Sequence, residues 1–161
     1  MPETRNSKPR PEGYNSINVN LVVKNGEQAI EFYKKAFGAV ERYRLMSPDG
    51  KMLVHVELRI GDSVLMLNEE MPGSEMKPVE TLGGSPVSFY VYVDNADRAF
   101  EQAIGAGAKE AMGLENTFWG DRCGAVKDPF GIHWTLATRV EEVSPEQINV
   151  RAQEFFKAKA A

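Results

Sequence analysis

Residues 22–39 read VVKNGEQAIEFYKKAFGA, and this stretch decides the fold. An apolar run ends at Asn25, and Ala29, Ile30, Tyr33, Ala36 and Phe37 then recur at the spacing of one helical face. Asn25 is a natural N-cap with Gln28 three residues on, and Gly38 a natural stop. The pattern returns seventy residues later. Asn25 maps to Asn95, Ala29 to Ala99, Glu31 to Glu101 and Gly61 to Gly131, so cap, helix face and hairpin turn recur in the same order. In the second copy Ala99, Phe100, Ala103 and Ile104 face inward, and Gly107 ends the helix. This shared order points to an internal duplication rather than to two helices that happen to look alike.

Working outward, INVNLVV from Ile17 alternates as a half-buried strand. VERYRLM, the turn SPDG, KMLVHVELRI, the hairpin signal Gly61–Asp62 and SVLML complete a β-α-β-β-β module. VSFYVYV opens the second module, and weaker strand patterns follow around KEAMGLE, DRCGAVK and IHWTLAT. The fold class predicted is α+β: two tandem β-α-β-β-β modules forming a cup-shaped mixed sheet, plus a C-terminal helix. The modules span 16–70 and 86–138 of a domain over 16–143, joined by a Pro/Gly-rich linker over 71–85. Residues 1–15 read as a polar, disordered or loosely draped tail. Ser144, Pro145 and Gln147 start a helix over 144–161, whose Ile148, Ala152, Phe155 and Phe156 share a face for docking on the body or on a partner subunit.

The chain has 161 residues, 19 Lys+Arg against 23 Asp+Glu, and a net charge of −4, which gives no electrostatic case for a nucleic-acid partner. A single cysteine, Cys123, forms no intramolecular disulfide, lacks CxxC spacing, and reads as packing rather than as a nucleophile. With no signal-like leader and no membrane-length apolar run, the expected location is the cytoplasm.

Strand alternation sorts the side chains. Ile17, Val19, Leu21 and Val23 face the first helix, as do Met52, Val54, Val56, Leu58 and Ile60. Leu53, His55, Glu57 and Arg59 take the other side. Val87, Phe89, Val91 and Val93 face inward in the second module, with Ser88, Tyr90 and Tyr92 opposite. Ile132, Trp134 and Leu136 are buried, with His133, Thr135 and Ala137 opposite. Second faces rich in Asn, Ser, Tyr and His suit a small-molecule pocket, or else a sheet surface satisfied by neighbours or a dimer partner. The candidate ligand-binding residues are Asn18, His55, Ser88, Tyr90, Tyr92, Trp119 and Thr135. Trp119 either stacks on a planar ligand or plugs a module junction. Glu57 and His133 are the candidate acid–base pair. Glu57 acts as a base with a raised pKa or simply pairs with Arg59 or Lys127.

The phrases VVKNGEQAIEFYKKAFGA, HVELRIGDSVLML, FWGDRCGAVKDPFG and ATRVEEVSPEQI resemble the vicinal oxygen chelate superfamily of glyoxalase I, bleomycin-resistance proteins and extradiol dioxygenases, and within it the PhnB-like branch. The resemblance spans roughly Ile17 to Ile148. It implies a cup-shaped cavity for a small organic molecule and a homodimer. It also implies four metal-ligand positions, which glyoxalase-type members fill with His, Glu, His and Glu. Here these fall on Asn18, Met66, Ser88 and Thr135, a poor set for a divalent cation. No metal and no other cofactor is therefore expected, unless His55, Glu57 and His133 form a substitute set. The leading reading is metal-free binding of a small organic molecule. The alternative is a lyase- or isomerase-type enzyme using Glu57 and a histidine.

Overall fold

The computed structural model describes residues 7–161; the first six residues of the tail expected over 1–15 lie outside the described residues. The chain divides into two compact units, Met1–Leu82 and Gly83–Ala161. The first carries β1 (Val19–Val23), α1 (Gly26–Phe37), β2 (Val40–Met46), β3 (Leu53–Ile60), β4 (Ser63–Glu69) and a single turn, α2 (Val79–Leu82). The second carries β5 (Phe89–Tyr92), α3 (Ala96–Ala106), β6 (Lys109–Asn116), β7 (Asp121–Lys127), β8 (His133–Arg139) and α4 (Pro145–Ala160). Both units hold one four-stranded mixed sheet, ordered β1-β4-β3-β2 and β5-β8-β7-β6. In each the first and last strands pair in parallel and the other pairs are antiparallel. The repeated strand order is what a duplicated β-α-β-β-β module demands.

Both helices start and stop where their caps dictate. The Asn25 side chain accepts from Gln28 N and that of Asn95 from Arg98 N, while Gly38 and Gly107 end the helices with left-handed backbones. Each N-terminus is also tied to the last strand of its own sheet. Glu69 accepts from Gly26 N at 2.8 Å, and Thr138 Oγ1 accepts from Ala96 N at 2.8 Å.

Ile30, Tyr33, Val56, Leu58 and Leu67 are buried in the first unit, and Phe100, Ala103, Val126, Trp134 and Leu136 in the second. Asp128, also buried, accepts from Phe130 N, Ile132 N and Trp134 Nε1, each at 2.9 Å, and so fixes the turn before β8.

Several side chains depart from strict alternation. Leu53 is 2% exposed and lies on the helix side, against Gly26. The cause is a bulge: Leu45 pairs with His55 but Met46 pairs with Leu53, leaving Val54 as the extra residue and reversing the facing before it. Ile17 and Val87 precede their strands and are exposed, and Ile104 lies at the exposed margin of α3.

Candidate functional site

In the second unit one face of the sheet carries α3. Phe100 of α3 packs over Gly124, and Asp97 pairs with Arg122 at 2.6 Å. Alternation then puts Asp121, Cys123 and Ala125 of β7 on the opposite face. The register continues that face across the sheet, with Tyr90 beside Thr135 and Tyr92 beside Ala137, and these in turn beside Ala125 and Cys123. Thr135 and Ala137 are small, so the two long tyrosines reach across them towards β7.

They converge on Asp121, which is only 3% exposed. Its Oδ2 accepts from Tyr90 Oη at 2.6 Å, Tyr92 Oη at 2.9 Å and Trp119 Nε1 at 3.2 Å. The Trp119 N–H is shared with Tyr90 Oη at 3.1 Å. Burial, followed by the Asp121 carboxylate, pushes the Tyr90 hydroxyl pKa well up; the Asp121 hydrogen bond does the same for Tyr92. Both phenols therefore stay protonated and donate to the carboxylate. Burial likewise raises the pKa of the Cys123 thiol, keeping it a packing group.

The turn before Asp121 aims this cluster. Thr117 N and Oγ1 donate to Asp121 O at 2.7 and 2.9 Å, and Asp121 N returns a bond to Thr117 Oγ1 at 3.1 Å. Gly120 has φ +99, and a Cβ there would land on the carbonyl oxygen of Glu141. Only glycine lets the two chain segments lie together, with Val140 N and Glu141 N donating to Gly120 O at 2.9 and 3.0 Å. Arg151 of α4 grips Glu141 with two nitrogens at 2.9 and 2.6 Å, and Phe155 meets the Phe118 ring at 5.2 Å. This holds the helix beside the turn, although α4 buries none of its residues and Phe156 stays exposed.

Between these parts lies a cavity of about 530 Å³ lined by Tyr92, Trp119, Asp121, Arg139, Val143 and Ile148. Of the predicted ligand-binding residues, Tyr92 and Trp119 line it, and Tyr90 reaches it through the shared bonds. Thr135 lies beneath Tyr90 in the sheet, and Ser88 is exposed in the segment before β5. His133 is exposed at the start of β8 opposite Lys127.

The open face of the first unit is built differently. Glu57 Oε2 accepts from Tyr14 Oη, and its Oε1 lies 3.4 Å from His55 Nε2. The Arg42 guanidinium stands over the Tyr14 ring at 5.3 Å. The Tyr14 hydroxyl, and after it His55, holds the Glu57 carboxyl below its ordinary pKa, and the Glu57 bond raises that of Tyr14. A base for neutral pH needs the opposite shift. Glu57 takes Tyr14 and His55 as partners, and not Arg59. Asn18 is occupied locally, bonded in both directions to the Asn15 backbone at 3.2 and 2.6 Å, and Asn20 donates to Asn68 at 2.7 Å.

The register pairs Asn20 with Met66 and Tyr90 with Thr135, which makes Met66 and Thr135 equivalent positions. The metal that the sequence resemblance implies does not fit the residues at the four positions it assigns. Asn18 is tied into its own loop, Ser88 is outside its strand, Met66 presents a soft thioether, and Thr135 a neutral hydroxyl. Among the described residues no group of three or more His, Cys, Asp or Glu side chains could hold a metal ion.

A family model described as the glyoxalase/bleomycin resistance protein/dioxygenase superfamily matches residues 15–136. The chain belongs to this superfamily. It is 44% identical over 137 residues to an uncharacterised Mycobacterium tuberculosis protein, Rv0887c, covering 83% of this chain and 79% of that one. It is 32% identical over 130 residues to the Arabidopsis thaliana protein At5g48480, 76% of each. The X-ray structure of the At5g48480 gene product superimposes with a TM-score of 0.61 over 76% of this chain and 98% of that one. TioX from Micromonospora sp. ML1, at 23% identity, shares the fold with a TM-score of 0.62 over 78% of this chain and 99% of its own. No helix among the described residues is long and apolar enough to cross a membrane.

Two features of the site escape the sequence reading. Asp121 is not singled out, although its alternation with Cys123 beside a strand bearing two tyrosines is a usable signal. Arg139 closes the same strand as Thr135 and is not singled out by any motif.

Proposed function

We propose that this superfamily member binds a small organic molecule in the second unit's cavity, without the metal of the family's glyoxalase-type enzymes. The observation that carries this reading is the cavity of about 530 Å³ whose walls combine Tyr92, Trp119, Val143 and Ile148 with the charged groups of Asp121 and Arg139. Its size and mixed lining are those of a small-molecule site. The tie of Tyr90, Tyr92 and Trp119 to one carboxylate holds the aromatic wall in place before any ligand arrives. The ligand positions at Asn18, Met66, Ser88 and Thr135 favour the metal-free state on donor chemistry. The acid–base alternative gains no support, because Glu57 is held below its ordinary pKa and is already bonded to Tyr14.

A thermal-shift screen of small aromatic and polar compounds tests the reading. It succeeds if a hit raises the melting temperature of the native chain but not of Trp119→Leu, and if mass spectrometry returns that hit unchanged. A chemically altered hit rules out binding alone, and hits indifferent to Trp119 place the site elsewhere. The PhnB-like branch and the homodimer belong to the same proposal and rest on the sequence resemblance. Light scattering of the purified chain at twice the mass of one protomer supports the dimer, and the mass of one protomer ends it.

A further inference from the structure

The chemical class of the ligand follows from how the charges of the cavity are spent, an argument that rests on the binding role proposed above. Asp121 and Arg139 stand directly opposite each other on β7 and β8. Opposite charges so placed ordinarily attract one another across a sheet, yet the two form no ion pair. Asp121 is engaged elsewhere through Oδ2, which takes three donors from Tyr90, Tyr92 and Trp119. Arg139 is left with one partner, Glu142 at 3.8 Å, and that carboxylate's side chain is 91% exposed at the rim. So weak and solvated a contact does not hold a guanidinium.

The cavity therefore contains one acceptor oxygen, Asp121 Oδ2, already taken by three donors, and a planar five-donor cation whose protein partner is a single weak one. Its other walls are carbon. The Trp119 N–H is turned to Asp121 and Tyr90, which leaves the indole's hydrocarbon surface to the cavity, with Val143 and Ile148 completing the lining. An amine would meet Arg139 as a like charge and would find Asp121 already saturated on its Oδ2 side. A neutral hydrocarbon would draw nothing from the guanidinium.

We infer that the cavity selects a planar aromatic carboxylate, its carboxylate taken by the fork of Arg139 and its rings lying between Trp119, Tyr92 and the Val143–Ile148 wall. A guanidinium matches a carboxylate with two parallel hydrogen bonds, where a lysine offers only a point charge. About 530 Å³ accommodates a two-ring acid.

Isothermal titration of the full chain with 2-naphthoate and with its neutral isostere 2-naphthamide tests this. The expected result is tighter binding of the carboxylate by about tenfold or more, the ratio that a hydrogen-bonded charge pair supplies. Arg139→Gln, with its fold checked by circular dichroism, should erase that ratio by weakening the carboxylate alone. Arg139→Lys should restore only part of it, and Trp119→Leu should weaken both probes together. Equal affinity for the two probes, or a carboxylate preference that survives Arg139→Gln, overturns the inference while leaving the binding role standing. If neither probe binds, both fall.

Discussion

Gly50 and Gly120 occupy the same turn in two sheets of identical strand order, seventy residues apart. Each donates its N–H to the residue three positions earlier, at 2.8 Å to Ser47 O and 3.2 Å to Thr117 O. Around Gly50 nothing lies within 4 Å of a would-be Cβ, whereas around Gly120 the backbone of Glu141 fills the space. The open faces beside these turns differ in the same sense. In the first unit the carboxylate, Glu57, is covered by a tyrosine from outside the sheet, Tyr14. In the second the carboxylate, Asp121, is held by Tyr90 and Tyr92 from the sheet itself and by Trp119 from the adjoining turn, leaving a cavity beside it. One duplicated scaffold has thus been used in two ways: the first unit's carboxylate is bonded by a tyrosine from outside the sheet and its hollow is lined by Arg42, Arg59 and Asp62, whereas the second unit's carboxylate is bonded by the same aromatics that wall its cavity.

The comparison breaks most readily at the two glycines. Gly120→Ala combines a left-handed backbone with a backbone collision and should cost about 3 kcal/mol or more in chemical denaturation. Gly50→Ala bears only the conformational strain and should cost about 1 kcal/mol. Equal losses would mean that the crowding at Glu141 does not distinguish the two turns.

Asp121→Ala leaves two phenols and an indole N–H without their shared acceptor. We expect a loss of about 2 kcal/mol in stability, since the hydroxyls recover some bonding to water, and loss of aromatic-probe binding by calorimetry. Retained binding would show that the cluster does not organise the cavity.

Tyr14→Phe should cost about 1 kcal/mol, for one hydrogen bond to a half-buried carboxylate. The loss should depend on pH. Glu57 has a lowered folded pKa, so its contribution is present above the ordinary carboxyl value and fades as pH falls through the lowered one. Tyr14 has a raised folded pKa, so its contribution is present below the ordinary phenol value and fades as pH rises through the raised one. The stability gap between Tyr14→Phe and the native chain should be widest near neutrality and narrow towards both extremes. A gap that is flat with pH would sever Tyr14 from Glu57.

The smallest effect is expected at Arg139. Its side chain is 59% exposed and its partner is weak, so Arg139→Gln should change stability by less than about 0.5 kcal/mol. A larger loss would make Arg139 part of the scaffold rather than of the cavity.

What could be read in the sequence was local or periodic. The Asn25 and Asn95 caps, the Gly38 and Gly107 stops and the Ser144–Gln147 capping box are all present, because each needs only residues three or four apart. The strands VERYRLM and DRCGAVK appear with their expected bounds. What could not be read depends on register or on contacts distant in sequence. A one-residue bulge at Val54 turned Leu53 onto the helix. Asp121 is bonded by tyrosines 29 and 31 residues away. Tyr14 meets Glu57 across 43 residues. Of the candidate site, the aromatic members Tyr90, Tyr92 and Trp119 were legible as residue types on one face. The carboxylate that gathers them, and the weakly paired arginine beside it, were not.

The most direct test of the central claim, metal-free binding in the second unit, is the affinity of the tighter naphthyl probe measured by calorimetry before and after exhaustive dialysis against a chelator. The account predicts one binding site with the same dissociation constant in both preparations, and its loss in Trp119→Leu. Binding that disappears with the chelator and returns with a divalent cation, or no binding in either preparation, would contradict it.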